Sequence, residues 1–353
     1  MTSEFKKIIQ SYKQAKAKNI RAVMATVVDV NGSSYRRPGV GMLILENNQM
    51  VGAVSGGCVE KEVLRQSQSV FSAKKAKMMT YNGRYRLGCE GVLYILLEPL
   101  EISNNTIDIL EECLKSRIPF SIKSYYSKSE DFSGTMGSIL SFSKKQEFKF
   151  TKELDINAKQ RDLDVFDRQI PPCFRLIIIG SEHDAIPLCA MAHATGWEVT
   201  IVDGSLSSKT LIDFPGAHEI RYHSPDNLVL ERVDAHTAII IMTHNFAKDV
   251  LYLKAICNTS PVYIGLLGPS NRREKLLSAF IEYFPNISEE FLECIYGPSG
   301  LNIGAETPQE IAISIIAEIL AVVRHQKPIS LQDKLGGIHS NLEREMIDSS
   351  VNN

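Results

Sequence analysis

The sequence carries no surplus of either charge: 39 Lys and Arg stand against 41 Asp and Glu, a formal net charge of −2. A general nucleic-acid binder would show a basic excess, so that class is not supported. No window approaches the ~18 uninterrupted apolar residues that a membrane helix requires. The opening MTSEFKKIIQSYKQAK lacks both the apolar stretch and the small-residue cleavage site of a secretory signal. Together these absences lead us to expect a cytoplasmic protein. No C-x-x-C occurs, and the seven cysteines, at 58, 89, 113, 173, 189, 257 and 294, are odd in number and widely spaced. This argues against a disulfide framework or a structural zinc site, and leaves reactive thiols, soft ligands or small core residues. The single Y-x-x-x-K, Tyr12 to Lys16, sits in a polar opening helix and gives no support to a short-chain-type reductase. No internal repeat is visible.

What is present is a foldable chain. A hydrophobic share of 44% against 23% charged excludes wholesale disorder. A length of 353 residues implies about two domains. Residues 1–151 read as a mixed α/β domain: a helix over 2–18, strands at 20–30, 41–46 and 50–55, a helix from 58, and a strand at 91–100 closed by Pro99. Residues 152–172 are charged, lack a clean period and end in Pro171-Pro172, so they read as a linker. From 173 to 327 the texture changes. FRLIIIG, WEVTIVD, HTAIIIMT and VYIGLL alternate with helical stretches, which predicts a Rossmann-like, doubly wound parallel sheet. Thr307, Pro308 and Glu310 announce the start of a closing helix. The remainder, 328–353, is a polar tail.

Three segments could carry chemistry. In Ser55-Gly56-Gly57-Cys58-Val59-Glu60, two glycines let a ligand approach the backbone, and the amides of a helix start suit an anion. Cys58 falls in the first helical turn, where the helix dipole favours a thiolate. A tight turn with a core cysteine would look the same. Arg84 to Gly91 holds a second cysteine, Cys89, beside Gly88 and just before a buried strand. Two such cysteines could share a soft metal or a transferable sulfur. Upstream, Arg36 and Arg37 lie on a turn before Pro38-Gly39, suited to phosphate or simply solvated. The third segment, Gly180-Ser181-Glu182-His183-Asp184-Ala185, stands where a dinucleotide fingerprint would stand, and Asp203 ends the next strand like a ribose-binding acid. Glu182 and Ala185 replace the second and third glycines of that fingerprint, so NAD(P) is only weakly signalled. His244 ends a later strand at the sheet edge where ligands bind in such folds. The H-E-x-x-x-H at His218 to His223 is one residue too long for a zincin helix and reads as a solvated edge.

Taken in order, ATVVDVNGSSYRRPGVGMLI, VGAVSGGCVEKEV, LGCEGVLYILLEPL, LIIIGSEHDA, MTHNFAKDVLYL, YIGLLGPSNRREKLL and GPSGLNIGAETPQEIAISIIAEI resemble the XdhC/CoxI family, accessory proteins of molybdenum hydroxylases. The resemblance implies an N-terminal XdhC/CoxI domain and a C-terminal Rossmann-like domain. It also implies a chaperone, not a catalyst, that binds molybdenum cofactor (molybdopterin). Such a chaperone supports sulfuration of the cofactor together with a cysteine desulfurase and delivers it to a xanthine-dehydrogenase-type hydroxylase, often as a homodimer. Carried over residue by residue, Gly56, Gly57, Cys58 and Glu60, then Gly88 and Cys89, become cofactor contacts. Cys58 and Cys89 are the candidates for molybdenum or sulfur, and Arg36 and Arg37 for the phosphate. In the second domain Gly180, His183, Asp184, Asp203 and His244 are the matching positions. The chain departs from the family pattern at Ser55, Glu90, Glu182 and Ser205. An NAD(P)-dependent oxidoreductase using Cys58 or His244, or a nucleotide-sensing module, is the alternative.

Overall fold

A computed structural model describes residues 2–32, 37–83, 91–129, 135–142, 146–152, 154, 163–204 and 209–334. The chain divides into two compact units, Met1–Pro172 and Cys173–Asn353.

The first unit runs α1 (Thr2–Ala17), β1 (Ala22–Asn31), β2 (Gly41–Leu45), β3 (Met50–Gly52), α2 (Cys58–Ala73), β4 (Lys77–Asn82), β5 (Val92–Pro99) and α3 (Asn104–Lys115). It continues through β6 (Phe120–Tyr126), β7 (Gly137–Phe142), β8 (Gln146–Lys149) and β9 (Asp164–Ile170). Two antiparallel sheets result, ordered β3-β2-β1-β5-β4 and β8-β7-β6-β9. Side chains alternate across a strand, so Met42 and Ile44 face Val59, Val63 and Val70 of α2. Leu43 and Leu45 face Phe5, Ile8 and Ile9 of α1 and the apolar side of the second sheet. Burial on both faces explains why β1 reads as one continuous apolar run.

β9 corrects one expectation: residues 164–170 form a strand of the second sheet, although their sequence reads as linker. The alternation is real, with Phe166, Arg168 and Ile170 inward, but an arginine occupies an apolar position and Val165 is exposed. The period is therefore hidden in the sequence.

One carboxyl is enclosed where the two sheets of this unit meet. Glu98 of β5 is fully buried and accepts hydrogen bonds from Ser138 of β7, 2.7 Å from the backbone N–H and 2.5 Å from the hydroxyl. Burial pushes its pKa up to about 7, against 4.5 ordinarily, and the two Ser138 bonds offset only part of that.

The second unit runs β10 (Arg175–Ile179), α4 (Ala185–Ala194), β11 (Glu198–Asp203), β12 (Ala217–Tyr222), β13 (Thr237–Ile241), α5 (Phe246–Ile256) and β14 (Tyr263–Leu266). Then come α6 (Ser270–Tyr283), α7 (Glu289–Glu293), β15 (Ile295–Tyr296) and α8 (Pro308–Arg324). All six strands are parallel in the order β12-β11-β10-β13-β14-β15, the 3-2-1-4-5-6 order of the Rossmann fold. Leu176, Ile178 and Ile240 pack with Leu188 and Ile315 of α4 and α8, while Ile177, Ile179 and Ile241 pack with Leu253 and Phe280 of α5 and α6. The sheet is thus covered on both faces. The capping box that starts α8 is complete: Glu310 N–H donates to the Thr307 hydroxyl at 3.3 Å, and Thr307 N–H donates to the Glu310 carboxylate at 2.9 Å. His218 lies on β12, the edge strand.

The buried Glu98 makes stability depend on pH. A native pKa raised to about 7 means that the native state holds a proton the unfolded chain has already released above pH 4.5. The stability this group contributes is therefore greatest below about 4.5, falls as pH rises toward 7, and is level above it. The loss attributable to this group is roughly 3 kcal/mol, at about 1.4 kcal/mol per unit. In denaturant unfolding between about pH 5 and pH 8, Glu98→Gln is expected to abolish this slope. A slope unchanged in the variant would assign it to another group.

Candidate functional site

Strand register gathers the first unit's loops at one sheet edge. The end of β1 (Asn31) pairs with the start of β5 (Val92), which also meets the end of β4 (Asn82). The start of β2 (Gly41) pairs back onto β1, and the end of β3 (Gly52) meets Met42 beside it. The connections from β1 to β2, from β3 to α2 and from β4 to β5 therefore all depart from the same edge. Arg36, Gly88 and Cys89 belong to two of these connections and lie outside the described residues. Arg37 is exposed on the first of them.

At the start of α2 the expected residues are brought together. Gly56, Gly57 and Cys58 are all exposed, and Cys58 opens the helix with Gly57 as its cap and no side-chain cap bond. Buried Val59 then anchors the helix to the sheet. A Cβ added at Gly56 or Gly57 would meet nothing within 4 Å, and neither residue has a positive φ. Packing within the protein does not demand glycine here. The backbone lies open to a ligand. Glu60 folds back so that its Oε1 accepts from Ser55 N–H at 2.9 Å, while its Oε2 is buried without a hydrogen-bond partner. Among the other described cysteines, 113, 173 and 189 are buried and 257 and 294 half-buried. No group of three or more His, Cys, Asp or Glu among the described residues could hold a metal ion.

The second unit's residues gather at the carboxyl ends of β10 and β13, where the strand order reverses. Gly180 has φ +126°, and a Cβ there would lie 2.4 Å from the Met242 carbonyl oxygen, so this glycine is obligatory. Asp184, the residue before α4, does not cap it; its Oδ2 meets His244 Nε2 at 2.9 Å. His244 itself has φ +57° and stands half exposed. Beside it lies a cleft of about 190 Å³ lined by Met242, His244, Leu267, Gly268, Pro269 and Arg272. Arg272 donates to the buried Asp249 at 2.7 Å, and Thr243 Oγ1 donates to the same carboxylate at 2.5 Å. His183 is exposed on the turn.

Asp203 does not join this group. It is 4% exposed, and a Cβ on the adjacent Gly204 would strike the Tyr252 hydroxyl at 2.2 Å. That hydroxyl donates to His223 O at 2.8 Å, and burial, with the Asp203 charge nearby, raises its pKa to about 12. Asp203 is thus enclosed, with Tyr252 packed against the adjacent Gly204. Glu182, the carboxylate that breaks the fingerprint, faces Lys209 Nζ at 4.0 Å, and the same amine donates to the Ser181 carbonyl. Lys209, Tyr252 and the Asp249–Arg272 pair escape sequence reasoning because each acts from a segment distant in the chain. Asp249 and Tyr252 lie inside MTHNFAKDVLYL and Arg272 inside YIGLLGPSNRREKLL, segments that carry the family resemblance, whereas Lys209 lies in none of them.

Fold and site define a two-part protein, a mixed α/β unit with a thiol-bearing glycine loop followed by a Rossmann unit. Comparison with known families agrees: residues 15–82 match the XdhC and CoxI family, and residues 176–319 match the XdhC Rossmann domain. The chain belongs to the XdhC/CoxI family. It is 29% identical over 315 residues to a Bacillus subtilis (strain 168) protein named as a probable component of xanthine dehydrogenase, covering 85% of this chain and 92% of that protein. It is 23% identical over 335 residues to the molybdenum cofactor insertion chaperone PaoD of Escherichia coli (strain K12), covering 93% and 91%. A crystal structure of a xanthine dehydrogenase from Bacillus halodurans is similar at a TM-score of 0.75 and 27% identity, over 92% of this chain and 97% of that one.

The two glycine environments predict opposite responses. Gly180→Ala is expected to destabilise by about 2–4 kcal/mol, through the clash and the left-handed backbone. Gly56→Ala should stay within about 0.5 kcal/mol of wild type. Thermal unfolding of both variants is the check, and equal losses would contradict the assignment of Gly56 to a ligand-facing loop.

Proposed function

We propose that this protein is an accessory chaperone that binds molybdenum cofactor, supports its sulfuration and delivers it to a xanthine-dehydrogenase-type hydroxylase. The observation that carries this reading is the open Gly56-Gly57 backbone leading into exposed Cys58, at the sheet edge where the loop connections gather. The cargo is an anionic pterin phosphate with a soft dithiolene-bound metal. Its phosphate calls for amides or cations, supplied by the start of α2 and by Arg36 and Arg37. Its metal or sulfur calls for a soft thiolate, which we assign to Cys58 with Cys89 as the second candidate. The buried, unpartnered Glu60 Oε2 is an acceptor matched to the N–H edge of a pterin. Relatives named for xanthine dehydrogenase and for cofactor insertion support the same role. A cysteine desulfurase partner and a homodimeric state belong to this reading.

A nucleotide-dependent oxidoreductase receives no comparable support. Asp203 is buried beside Tyr252, and Glu182 stands in the phosphate turn. No helix among the described residues is long and apolar enough to cross a membrane.

Anaerobic equilibrium binding of molybdenum cofactor to the full chain, with an NADH titration in parallel, tests the proposal. Stoichiometric cofactor binding is expected, and Cys58→Ala should weaken it about tenfold or more while shifting stability by no more than about 0.5 kcal/mol, the thiol being exposed. Wild-type affinity in the variant would remove the thiol assignment. Nucleotide binding without cofactor binding would overturn the chaperone reading.

A further inference from the structure

On β9, Arg168 sits on the inward face between Phe166 and Ile170 and is only 9% exposed. Its Nε is buried without a hydrogen-bond partner, and its side chain makes no hydrogen bond or ion pair among the described residues. A single carboxylate acts on it through space, that of Glu4 in the first turn of α1. Gly39, with φ +97°, runs directly over its stem: a Cβ there would lie 3.1 Å from Arg168 Cδ and 3.3 Å from Phe166 Cζ. The helix α1 begins alongside, since the Thr2 hydroxyl donates to Pro171 O at 3.0 Å. The positive end of a 16-residue helix thus lies near a buried guanidinium.

Burial of an unpaired guanidinium is strongly unfavourable unless something compensates it. Burial lowers its pKa to about 10, so it remains charged at neutral pH. Replacing it by an apolar residue would complete the core alternation of β9. The compensating group is an anion. A guanidinium offers a planar fork of donors matched to a tetrahedral oxyanion, and a helix start favours the same charge.

We propose that Arg168 and the first turn of α1 form a binding site for the phosphate group of a small-molecule ligand, beneath the segment 37–40. It is distinct from the Cys58 loop. Val59 of α2 packs on one face of the first sheet, whereas Ile170 of β9 packs with Met24 and Leu43 on the other. Glu4 opposes the ligand by competing for the same cation.

The test is titration of inorganic phosphate into the full-length protein at constant ionic strength, against chloride, read by calorimetry and by melting temperature. Saturable binding is expected in wild type. Arg168→Met should melt higher than wild type without phosphate and lose affinity by about tenfold or more. Glu4→Gln, at an exposed position, should bind several-fold more tightly. Absence of saturable binding in wild type, full affinity in Arg168→Met, or weakened binding in Glu4→Gln would each overturn the site. If Arg168→Met does not fold, Arg168→Lys, which keeps charge but not the fork, must bind more weakly for the site to stand. Phosphate binding that survives alongside a failure to bind molybdenum cofactor would remove the chaperone reading and leave this one intact.

Discussion

Burial of sheets on both faces is the constraint on which the rest of the molecule depends. In the first unit, α2 covers one face of the five-stranded sheet, and α1 and the second sheet cover the other. In the second unit, helices cover both faces of six parallel strands. Apolar residues must fill those faces, so polar chemistry is confined to strand ends. That is where Gly56, Gly57 and Cys58 stand, and where Asp184, His244 and Arg272 stand. The exceptions are informative because they place polar groups inside. Glu98 is held by Ser138, whereas Arg168 Nε is buried without a hydrogen-bond partner.

Much of the fold is legible in the residues. The apolar runs at 174–180 and 236–243 have no polar face, and only a sheet covered on both sides accommodates that. The Thr307-Pro308-Glu310 start of α8 is equally readable, because its bonds are local. β9 is not, since a single inward arginine destroys a two-residue period over seven positions. Long-range partners fail for a different reason. Nothing near Gly204 in sequence announces that Tyr252 will occupy the space beside it.

The candidate sites divide along the same line. Gly56-Gly57-Cys58 can be found because glycine and cysteine at a strand-to-helix junction are unusual residue types for packing, and the structure places them in the open. In the Rossmann unit the fingerprint position is readable, but its chemistry is not. The Glu182 carboxylate is answered by Lys209, and Asp203 is enclosed. Position in a fold and availability to a ligand are separate properties, and only the first is written in spacing.

Exposure of Cys58 also bears on how the protein behaves once it is handled. Among the described cysteines it alone is exposed, so a thiol reagent used under native conditions marks the start of α2 before any other of these sites. The same accessibility lets two chains join sulfur to sulfur in air. Among the described cysteines Cys58 is the one that such a covalent dimer would join, and self-association has to be judged with thiols reduced or blocked.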